Sequence, residues 1–400
     1  MTDFHIRTTC RLCHSPDLER LLTLNDTPLA NELMKWPDGL GNFHQDRFPL
    51  HLVGCKACGH VQLPVVVDPK RLFPPDYPYQ SGTSLAFHSH LKELAWSLVG
   101  EVIPHYPKRG RVLDVASNDG TFVSKLRGAG FNAYGVDPCS PEEFGVRAFF
   151  TEEWARGQAS KVDCITALNV FAHVDDLDDF TRGVRTLLEP CGLFVVEVGY
   201  LPDVIKRDAF DTIYHEHVSY HHLSPLVRFF RKHGMTMVDA HRIDSQGGSV
   251  RIFVRNCKDM HRGGDDGHNE PSARMQDLLD EESRAELWEG VRLLGNVRAG
   301  QGVRGWRDFL KLRGPFVCYG APAKLCTLIH ATDQPEAIEY VVDDNPNKVG
   351  RYVPGTRIPI LPVSTLYERR PKRVLITAWN FADDIKKRHA ELGCEWVVGR

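Results

Sequence analysis

The chain has 400 residues, of which 42% are hydrophobic and 25% charged, and its formal net charge is −3. This length predicts two to three domains, and the balance of charge excludes a general attraction to nucleic acid or to anionic membranes. The sequence contains neither an apolar signal core at its N-terminus nor an apolar run long enough to span a bilayer. Eleven cysteines without such a signal favour a reducing compartment. We therefore expect a cytoplasmic protein that binds neither nucleic acid nor membrane.

Two CxxC pairs stand out in the first segment, which extends to about residue 72. They are Cys10–Cys13 and Cys55–Cys58. Each pair lets two thiolates reach one ion from a tight turn, and four thiolates leave no open position for a substrate. The sequence thus predicts a structural zinc site, although 41 residues separate the pairs and require an inserted loop. Four unrelated buried cysteines are the alternative.

A loop and a helix are predicted next. Residues 73–90 are rich in Pro, Tyr, Ser and His, a composition typical of loops, and a helix follows from about Leu85 to Val102. Tyr77 and Tyr79 fit ordinary surface turns. Because they directly precede the next domain, a lid over an active site is a second interpretation.

Residues 111–137 show the pattern of a nucleotide-binding α/β unit. The order is a buried strand, a polar turn, a helix from Thr121 and a second strand that ends at Asp137. An acid at that position can accept both ribose hydroxyls of an adenosine. The GxGxxG fingerprint is absent, and Asp114 and Asp119 in the predicted turn suit a cationic ligand better than a diphosphate. S-adenosylmethionine, which carries an ammonium and a sulfonium, is favoured over NAD; a βαβ unit without ligand is the alternative.

The α/β pattern continues to about residue 254. Strands are predicted at 163–168, 192–198 and 247–254, with a helix at 226–233. Between them lies the segment Tyr214-His215-Glu216-His217, which places three proton-handling residue types in four positions. A metal site is disfavoured because HExH spacing, unlike HExxH, does not stack two histidines on one helix face. The segment indicates proton transfer, whereas His221 and His222 fit satisfied or exposed structural histidines.

The last part of the chain predicts a second, smaller α/β unit. Residues 257–275 have the composition of a linker, and a charged helix is predicted around 278–313. Strands are expected at 315–319 and 338–343, with a helix starting after Gly320. Lys324 near that helix N-terminus can hold a phosphate, although an ordinary helix cap explains the turn equally well.

The order of these motifs resembles the sugar C-methyltransferases that act on nucleoside-diphosphate 4-keto sugars in deoxysugar biosynthesis. The matching motifs cover essentially the whole chain and comprise the four cysteines, Pro28–Asn31, Tyr77–Ser81, Asp114–Gly120, Asn169–His173, Tyr214–His217, Gly320–Lys324 and Pro354–Pro359. The chain departs from the family at Ala116, where glycine is more usual, at Gly199, and at His221 and His222. The resemblance implies a zinc-binding domain (1–72), a Rossmann-like methyltransferase domain (73–256), and a linker helix with a smaller Rossmann-like domain (257–400).

The resemblance also implies ligands and the residues that bind them. S-adenosylmethionine is expected to contact Asp114, Ala116, Asn118, Gly120, Asp137, Pro138 and Asn169. A nucleotide sugar, dTDP-linked, is expected to contact Tyr77, Tyr79, Ser81, His215 and Lys324. The expected assembly is a monomer or a weak homodimer.

Methylation of a carbon requires that the carbon first become nucleophilic. A general base can remove a proton next to a ketone, and the resulting enolate attacks the sulfonium methyl. His217 is the base candidate. Tyr214 is the candidate to hold the enolate oxygen or to orient the sugar, and Glu216 is the candidate to tune or orient a histidine. His173, Tyr77 and Tyr79 are secondary catalytic candidates.

Two other functions compete with this one. A methyltransferase that acts on oxygen, nitrogen or a non-sugar carbon acid shares the cofactor loop, but the proton-handling segment favours carbon. A zinc-ribbon protein that binds nucleic acid or acts as a scaffold shares the CxxC pairs, but it lacks the expected basic stripe.

Overall fold

The computed structural model describes residues 4–35, 45–83, 85–102, 110–256, 271–295 and 302–398. The zinc-binding segment comes first and is mostly antiparallel strand, with one short helix. Its elements are β1 (Phe4–Ile6), β2 (Leu18–Thr27), β3 (Phe48–Cys55), β4 (Val61–Gln62), β5 (Val65–Val67) and α1 (Pro69–Leu72). β1 pairs with β5, and β2, β3 and β4 form a meander.

The central segment alternates helices and strands from residue 85 to residue 255. Its elements are α2 (Leu85–Val102), β6 (Arg111–Val115), α3 (Thr121–Gly128), β7 (Asn132–Val136), β8 (Gly145–Val146), α4 (Glu152–Arg156), β9 (Val162–Leu168), α5 (Leu177–Leu187), β10 (Leu188–Gly199), α6 (Leu201–Lys206), β11 (Ser219–Tyr220), α7 (Leu223–Lys232), β12 (Thr236–Ile243) and β13 (Ser249–Arg255). The helix predicted at 226–233 therefore begins earlier, at Leu223. β12 was not foreseen.

One sheet of the central segment has the order β12-β13-β10-β9-β6-β7-β8. β10, β9, β6, β7 and β8 run parallel, whereas β13 is antiparallel to β10 and β12 to β13. The parallel strands are largely apolar because helices cover both faces, although β6, β9 and β10 also carry Asp114, Asp163 and Glu197. α5, for example, buries Leu177, Phe180, Val184 and Leu187 on one stripe. The carboxyl ends of β6 and β9 meet where the strand order reverses, the usual ligand position in such sheets.

The C-terminal part contains a helical connection and a second parallel sheet. Its elements are α8 (Ala273–Arg284), α9 (Leu287–Gly295), α10 (Gly302–Arg313), β14 (Phe316–Tyr319), α11 (Ala323–Thr332), β15 (Ile338–Asp343), β16 (Ile360–Pro362), α12 (Ser364–Arg369), β17 (Arg373–Ile376), α13 (Ala382–Arg388) and β18 (Glu395–Val398). The sheet order is β16-β15-β14-β17-β18, with all four pairings parallel.

The single helix predicted around 278–313 is wrong. α8 ends at Arg284, and the next residue, Ala285, has an extended backbone at φ −84° and ψ 131°; α10 starts at Gly302 with φ +62°. Both conformations interrupt helical hydrogen bonding, so the connection is built from separate helices. Most of the predicted linker, 257–270, lies outside the described residues.

The segments are joined by strand pairing as well as by packing. β11 belongs to the central segment in sequence, yet it pairs with β4 and completes the meander in the order β11-β4-β3-β2. Leu63 N adds a hydrogen bond of 3.0 Å to Val218 O. The Tyr214–His217 segment is therefore held by the zinc-binding segment. Within the described ranges, no helix combines the length and the apolar character needed to cross a membrane.

Candidate active site

The four predicted zinc ligands converge. Their sulfur atoms all lie within 4.8 Å of one another, with Cys10 Sγ 3.6 Å from Cys58 Sγ and Cys13 Sγ 3.5 Å from Cys55 Sγ. Four thiolates at the usual Zn–S distance of about 2.3 Å stand about 3.8 Å apart at the corners of a tetrahedron. The donor set and the spacing therefore fit a closed structural zinc site.

The loop after β6 adopts an unusual backbone. Ala116, Asn118 and Gly120 have φ of +60°, +51° and +77°. At Gly120 a Cβ would approach the Phe144 ring to 2.1 Å, so only glycine fits. At the end of β9, Asn169 also has a positive φ of +56°. The two loops thus form a tightly folded rim at the carboxyl ends of β6 and β9.

The carboxylates of this rim have different surroundings. Asp137 accepts hydrogen bonds from the backbone N–H groups of Asn118 (3.1 Å) and Cys139 (2.6 Å). Pro138 lies between Asp137 and Cys139 in the chain. Asp114 was expected in the turn, but it lies on β6, is 3% exposed, and accepts a 2.7 Å hydrogen bond from Thr166 Oγ1. Burial raises the pKa of Asp114 to about 7.

The loop from Tyr77 to Thr83 lies against this rim. Ser81 N donates to Asn118 Oδ1 at 3.0 Å, and Asn118 Nδ2 donates to Tyr79 O at 3.1 Å. Gly82 N donates to Asp119 Oδ2 at 2.8 Å. The loop therefore packs directly on the residues that follow β6, and its role as a lid stays a prediction.

Tyr214 and His217 form a hydrogen-bonded pair. His217 Nδ1 lies 2.9 Å from Thr212 O and must donate to it, which leaves Nε2 to accept the Tyr214 hydroxyl at 2.8 Å. Burial lowers the pKa of His217 to about 4, so its imidazole is neutral at pH 7. The His173 ring lies 5.0 Å from that of His217.

Glu216 forms a second pair with Tyr77 of the lid. The Tyr77 hydroxyl donates to Glu216 Oε2 at 2.6 Å, and Asn31 Nδ2 donates to Oε1 at 2.8 Å and to Oε2 at 3.1 Å. Burial raises the pKa of Glu216 to about 7, against the effect of these hydrogen bonds. Phe73 contacts both the Tyr77 and the His173 rings, at 5.5 and 5.7 Å between centroids, so the two pairs are neighbours.

The remaining candidates lie elsewhere. His215 is 1% exposed and donates to Pro49 O at 3.2 Å, so it faces the zinc-binding segment and is not brought to these pairs. Tyr79 contacts Gln246 at 3.4 Å, not Glu216; of the two lid tyrosines it is Tyr77 that joins the group. His221 is buried against Phe171 O and stacks on His60.

Lys324 lies at the start of α11, where its side chain is partly buried. Its Nζ is 4.0 Å from the centre of the Trp379 ring and 3.2 Å from Asn380 Oδ1. Trp379 Nε1 donates to Asp211 Oδ2 at 2.9 Å. Burial lowers the pKa of Lys324 to about 8 and raises that of Asp211 to about 6.

Sequence reasoning missed several members of this site. Asn31, Thr212, Gln246, Trp379 and Asn380 come from four separate stretches of the chain. Asn31 alone carried a signal, because it ends the Pro28–Asn31 motif. Thr212 lies only five positions before His217, whereas Gln246, Trp379 and Asn380 come from distant parts of the chain through tertiary contacts.

Known protein families match nearly the whole length of the chain. Three family models match in succession: a zinc binding domain over residues 10–73, a methyltransferase domain over 87–240, and a C-methyltransferase C-terminal domain over 244–399. The C-methyltransferase NovU of Streptomyces niveus is 30% identical over 97% of this chain and 94% of its own length. The chain belongs to the C-methyltransferase family. The predictions of a zinc-binding domain, a Rossmann-like fold and an S-adenosylmethionine-dependent C-methyltransferase are confirmed.

Solved structures match parts of this C-methyltransferase at low similarity. The 1,6-didemethyltoxoflavin-N1-methyltransferase of Burkholderia thailandensis is 16% identical and covers 42% of this chain and 78% of its own, with a TM-score of 0.32. An S-adenosylmethionine-dependent methyltransferase of Archaeoglobus fulgidus is 15% identical and covers 41% of this chain and 94% of its own, also with a TM-score of 0.32. Nothing about the reaction of this chain follows from matches of this size.

Proposed function

We propose that this enzyme methylates the carbon next to the ketone of a nucleoside-diphosphate-linked 4-keto deoxysugar. The observation that carries the proposal is the pair Tyr214–His217, in which a hydroxyl is bonded to the free nitrogen of a neutral imidazole. Such a pair can take a proton from a carbon acid. Methylation of an amine needs far less help from a base, so the pair favours a carbon nucleophile.

The proton leaves through the pair. The Tyr214 oxygen accepts the proton from the carbon next to the ketone while its own proton passes to His217 Nε2. The Thr212 carbonyl, 2.9 Å from Nδ1, orients the ring and stabilises the imidazolium that forms. The electron pair of the broken C–H bond moves onto the ketone oxygen. In this sequence of transfers His217 is the base that finally holds the proton. Tyr214 contacts the substrate carbon and does not hold the enolate oxygen.

The pair formed by Tyr77 and Glu216 provides the enolate donor. A carboxyl with a pKa of about 7 is partly protonated near neutral pH. In that form Glu216 can donate its proton to the Tyr77 oxygen, which frees the Tyr77 hydroxyl proton for the enolate oxygen. His173 lies between the two pairs and is kept neutral, because burial holds its pKa well below the usual range. We assign it to orienting the sugar.

The rim at the carboxyl ends of β6 and β9 fits S-adenosylmethionine, which supplies, when bound, an electrophilic methyl group on a sulfonium. We assign Asp137, Asn118 and Asn169 to its adenosine, and Asp114, beneath the same loop, to its cationic part. We assign Lys324 and the N-terminus of α11 to the diphosphate, because a cation beside helical N–H groups favours an anion. The lid residues Tyr79 and Ser81 close over both ligands and exclude water.

The test is methyl transfer to candidate nucleotide sugars. The enzyme and S-adenosylmethionine are incubated with dTDP-linked 4-keto-6-deoxyhexoses, and the sugars are analysed by mass spectrometry and NMR. We expect a gain of one methyl group on the carbon next to the ketone. The matched 4-hydroxy sugars should gain none, because they have no acidic C–H. Transfer to the 4-hydroxy sugars, or a methyl group on oxygen or nitrogen, would overturn the proposal.

A further inference from the structure

Asn31 brings the zinc-binding segment into the candidate active site. Its Nδ2 lies 2.8 Å from Glu216 Oε1, 3.1 Å from Glu216 Oε2 and 3.1 Å from the Tyr77 hydroxyl. The carboxylate of Glu216 therefore receives donors from two directions, the amide of Asn31 and the hydroxyl of Tyr77.

The backbone around Asn31 is anchored on both sides. Ala30 is buried against Ala323 and Cys326 of α11. Glu32 forms an ion pair with Arg71 of α1 at 3.0 Å. Met34 exchanges two backbone hydrogen bonds with Tyr352 of the C-terminal part, at 3.2 and 2.8 Å. Because the backbone is held on both sides, the Asn31 amide reaches Glu216 with little loss of backbone freedom, so the contact is preorganised.

We propose that Asn31 is a positioning residue for this reaction, which holds the Glu216 carboxyl in line with the Tyr77 hydroxyl and sets the pH at which that carboxyl changes charge. The inference rests on the proposed function, because Glu216 and Tyr77 are the enolate donors there. It assigns the zinc-binding segment a part in the chemistry beyond carrying the metal.

The electrostatic surroundings of Glu216 explain why one amide matters. The titratable or charged groups that face its carboxyl are Tyr77, Tyr214, Cys326 and Lys348. Burial raises the pKa of Glu216, whereas the hydrogen bonds from Tyr77 and Asn31 and the more distant charge of Lys348 lower it. Loss of the Asn31 amide removes a donor that favours the charged carboxylate, so Glu216 would stay protonated to higher pH.

The experiment is an infrared titration of Asn31→Ala in the zinc-loaded enzyme without substrate. The carbonyl band of the protonated Glu216 carboxyl is assigned by its absence in Glu216→Gln. Loss of a hydrogen bond to a charged carboxylate raises its pKa by about one pH unit or more. We therefore expect the midpoint of this band to rise by about one pH unit. An unchanged midpoint would overturn the inference.

Two further variants keep the test decisive. Asn31→Asp has nearly the same shape but places a second carboxylate beside Glu216, so the midpoint should rise further; this variant also serves if the alanine variant fails to fold. Asn25→Ala is the matched control, because Asn25 lies in the same segment and donates its amide to His330 O at 2.9 Å, away from Glu216. A similar shift in Asn25→Ala would contradict a specific role for Asn31.

Activity separates this inference from the proposed function. With a dTDP-linked 4-keto-6-deoxyhexose, Asn31→Ala should lower kcat and move the pH profile of kcat upward, while KM for S-adenosylmethionine stays unchanged. If the infrared midpoint moves but the wild-type enzyme does not methylate the sugar, the proposed function fails and the Asn31 contact stands. If the wild-type enzyme methylates the sugar and neither the midpoint nor the profile moves, the inference about Asn31 fails alone.

Discussion

Replacement of Ala116 by glycine should stabilise the enzyme. Ala116 follows β6 and has φ +60°, a conformation in which a Cβ approaches the following carbonyl oxygen. The cost for an L-residue is about 1–2 kcal/mol. Ala116→Gly removes that strain but gives the unfolded chain more freedom, which costs about 0.5–1 kcal/mol. The expected net gain is therefore about 0.5–1 kcal/mol.

The assay is thermal unfolding followed by circular dichroism, with zinc content held equal. A net gain of this size should raise Tm by about 1–4 °C for a domain of this size. Asn118→Gly is the matched control, because Asn118 also has a positive φ, of +51°, but its side chain bonds to Ser81 N and Tyr79 O. That variant should lower Tm. A fall in Tm for Ala116→Gly would refute the reasoning, since it would show that the loop does not impose the left-handed conformation on Ala116.

Three other perturbations have defined outcomes. Cys55→Ser should lose bound zinc, measured by elemental analysis, and roughly several kcal/mol of stability, because metal binding is coupled to folding of the segment; a variant with full zinc and an unchanged melt would contradict the assignment. Tyr77→Phe should lower kcat about 100-fold with little change in Tm, because it removes a donor to the enolate; an unchanged kcat would exclude Tyr77 from the chemistry. Asp211, whose pKa burial raises from 3.8 to about 6, favours folding below pH 3.8, and this contribution of about 3 kcal/mol is lost as the pH rises through 6. Asp211→Asn should therefore show a smaller fall in Tm between pH 4 and 6, and an identical fall would count against the burial of this carboxyl.

The sequence predicts best those features that local spacing controls. The CxxC spacing of Cys10–Cys13 and Cys55–Cys58 predicts the metal site because each pair needs only a tight turn to bring two sulfurs together. The strand, turn, helix and strand of 111–137 follow from the change of hydrophobic period and from the polar turn. The Tyr214–His217 contact, three residues apart, is also local.

Features that depend on contacts between distant parts of the chain cannot be predicted from local sequence patterns. β11 is only two residues long, and its strand character comes from pairing with β4 of the zinc-binding segment. Asn31 reaches Glu216 across 185 positions of the chain, so no periodicity signals it. The orientation of His215 toward Pro49 is likewise set by that sheet. The break before α10 did have a local signal that the prediction overlooked, because Gly295, Gly300 and Gly302 all disfavour a helix.

The central claim is that the pair formed by Tyr214 and His217 takes a proton from the carbon next to the substrate ketone. It is tested most directly by hydrogen exchange in D₂O with a dTDP-linked 4-keto-6-deoxyhexose and S-adenosylhomocysteine, so that no methyl transfer occurs. NMR should show one deuterium entering at that carbon with the wild-type enzyme and none above background with His217→Ala, provided that calorimetry shows the variant still binds S-adenosylhomocysteine. Equal exchange in both proteins would contradict the claim, as would methylation by His217→Ala at the wild-type rate.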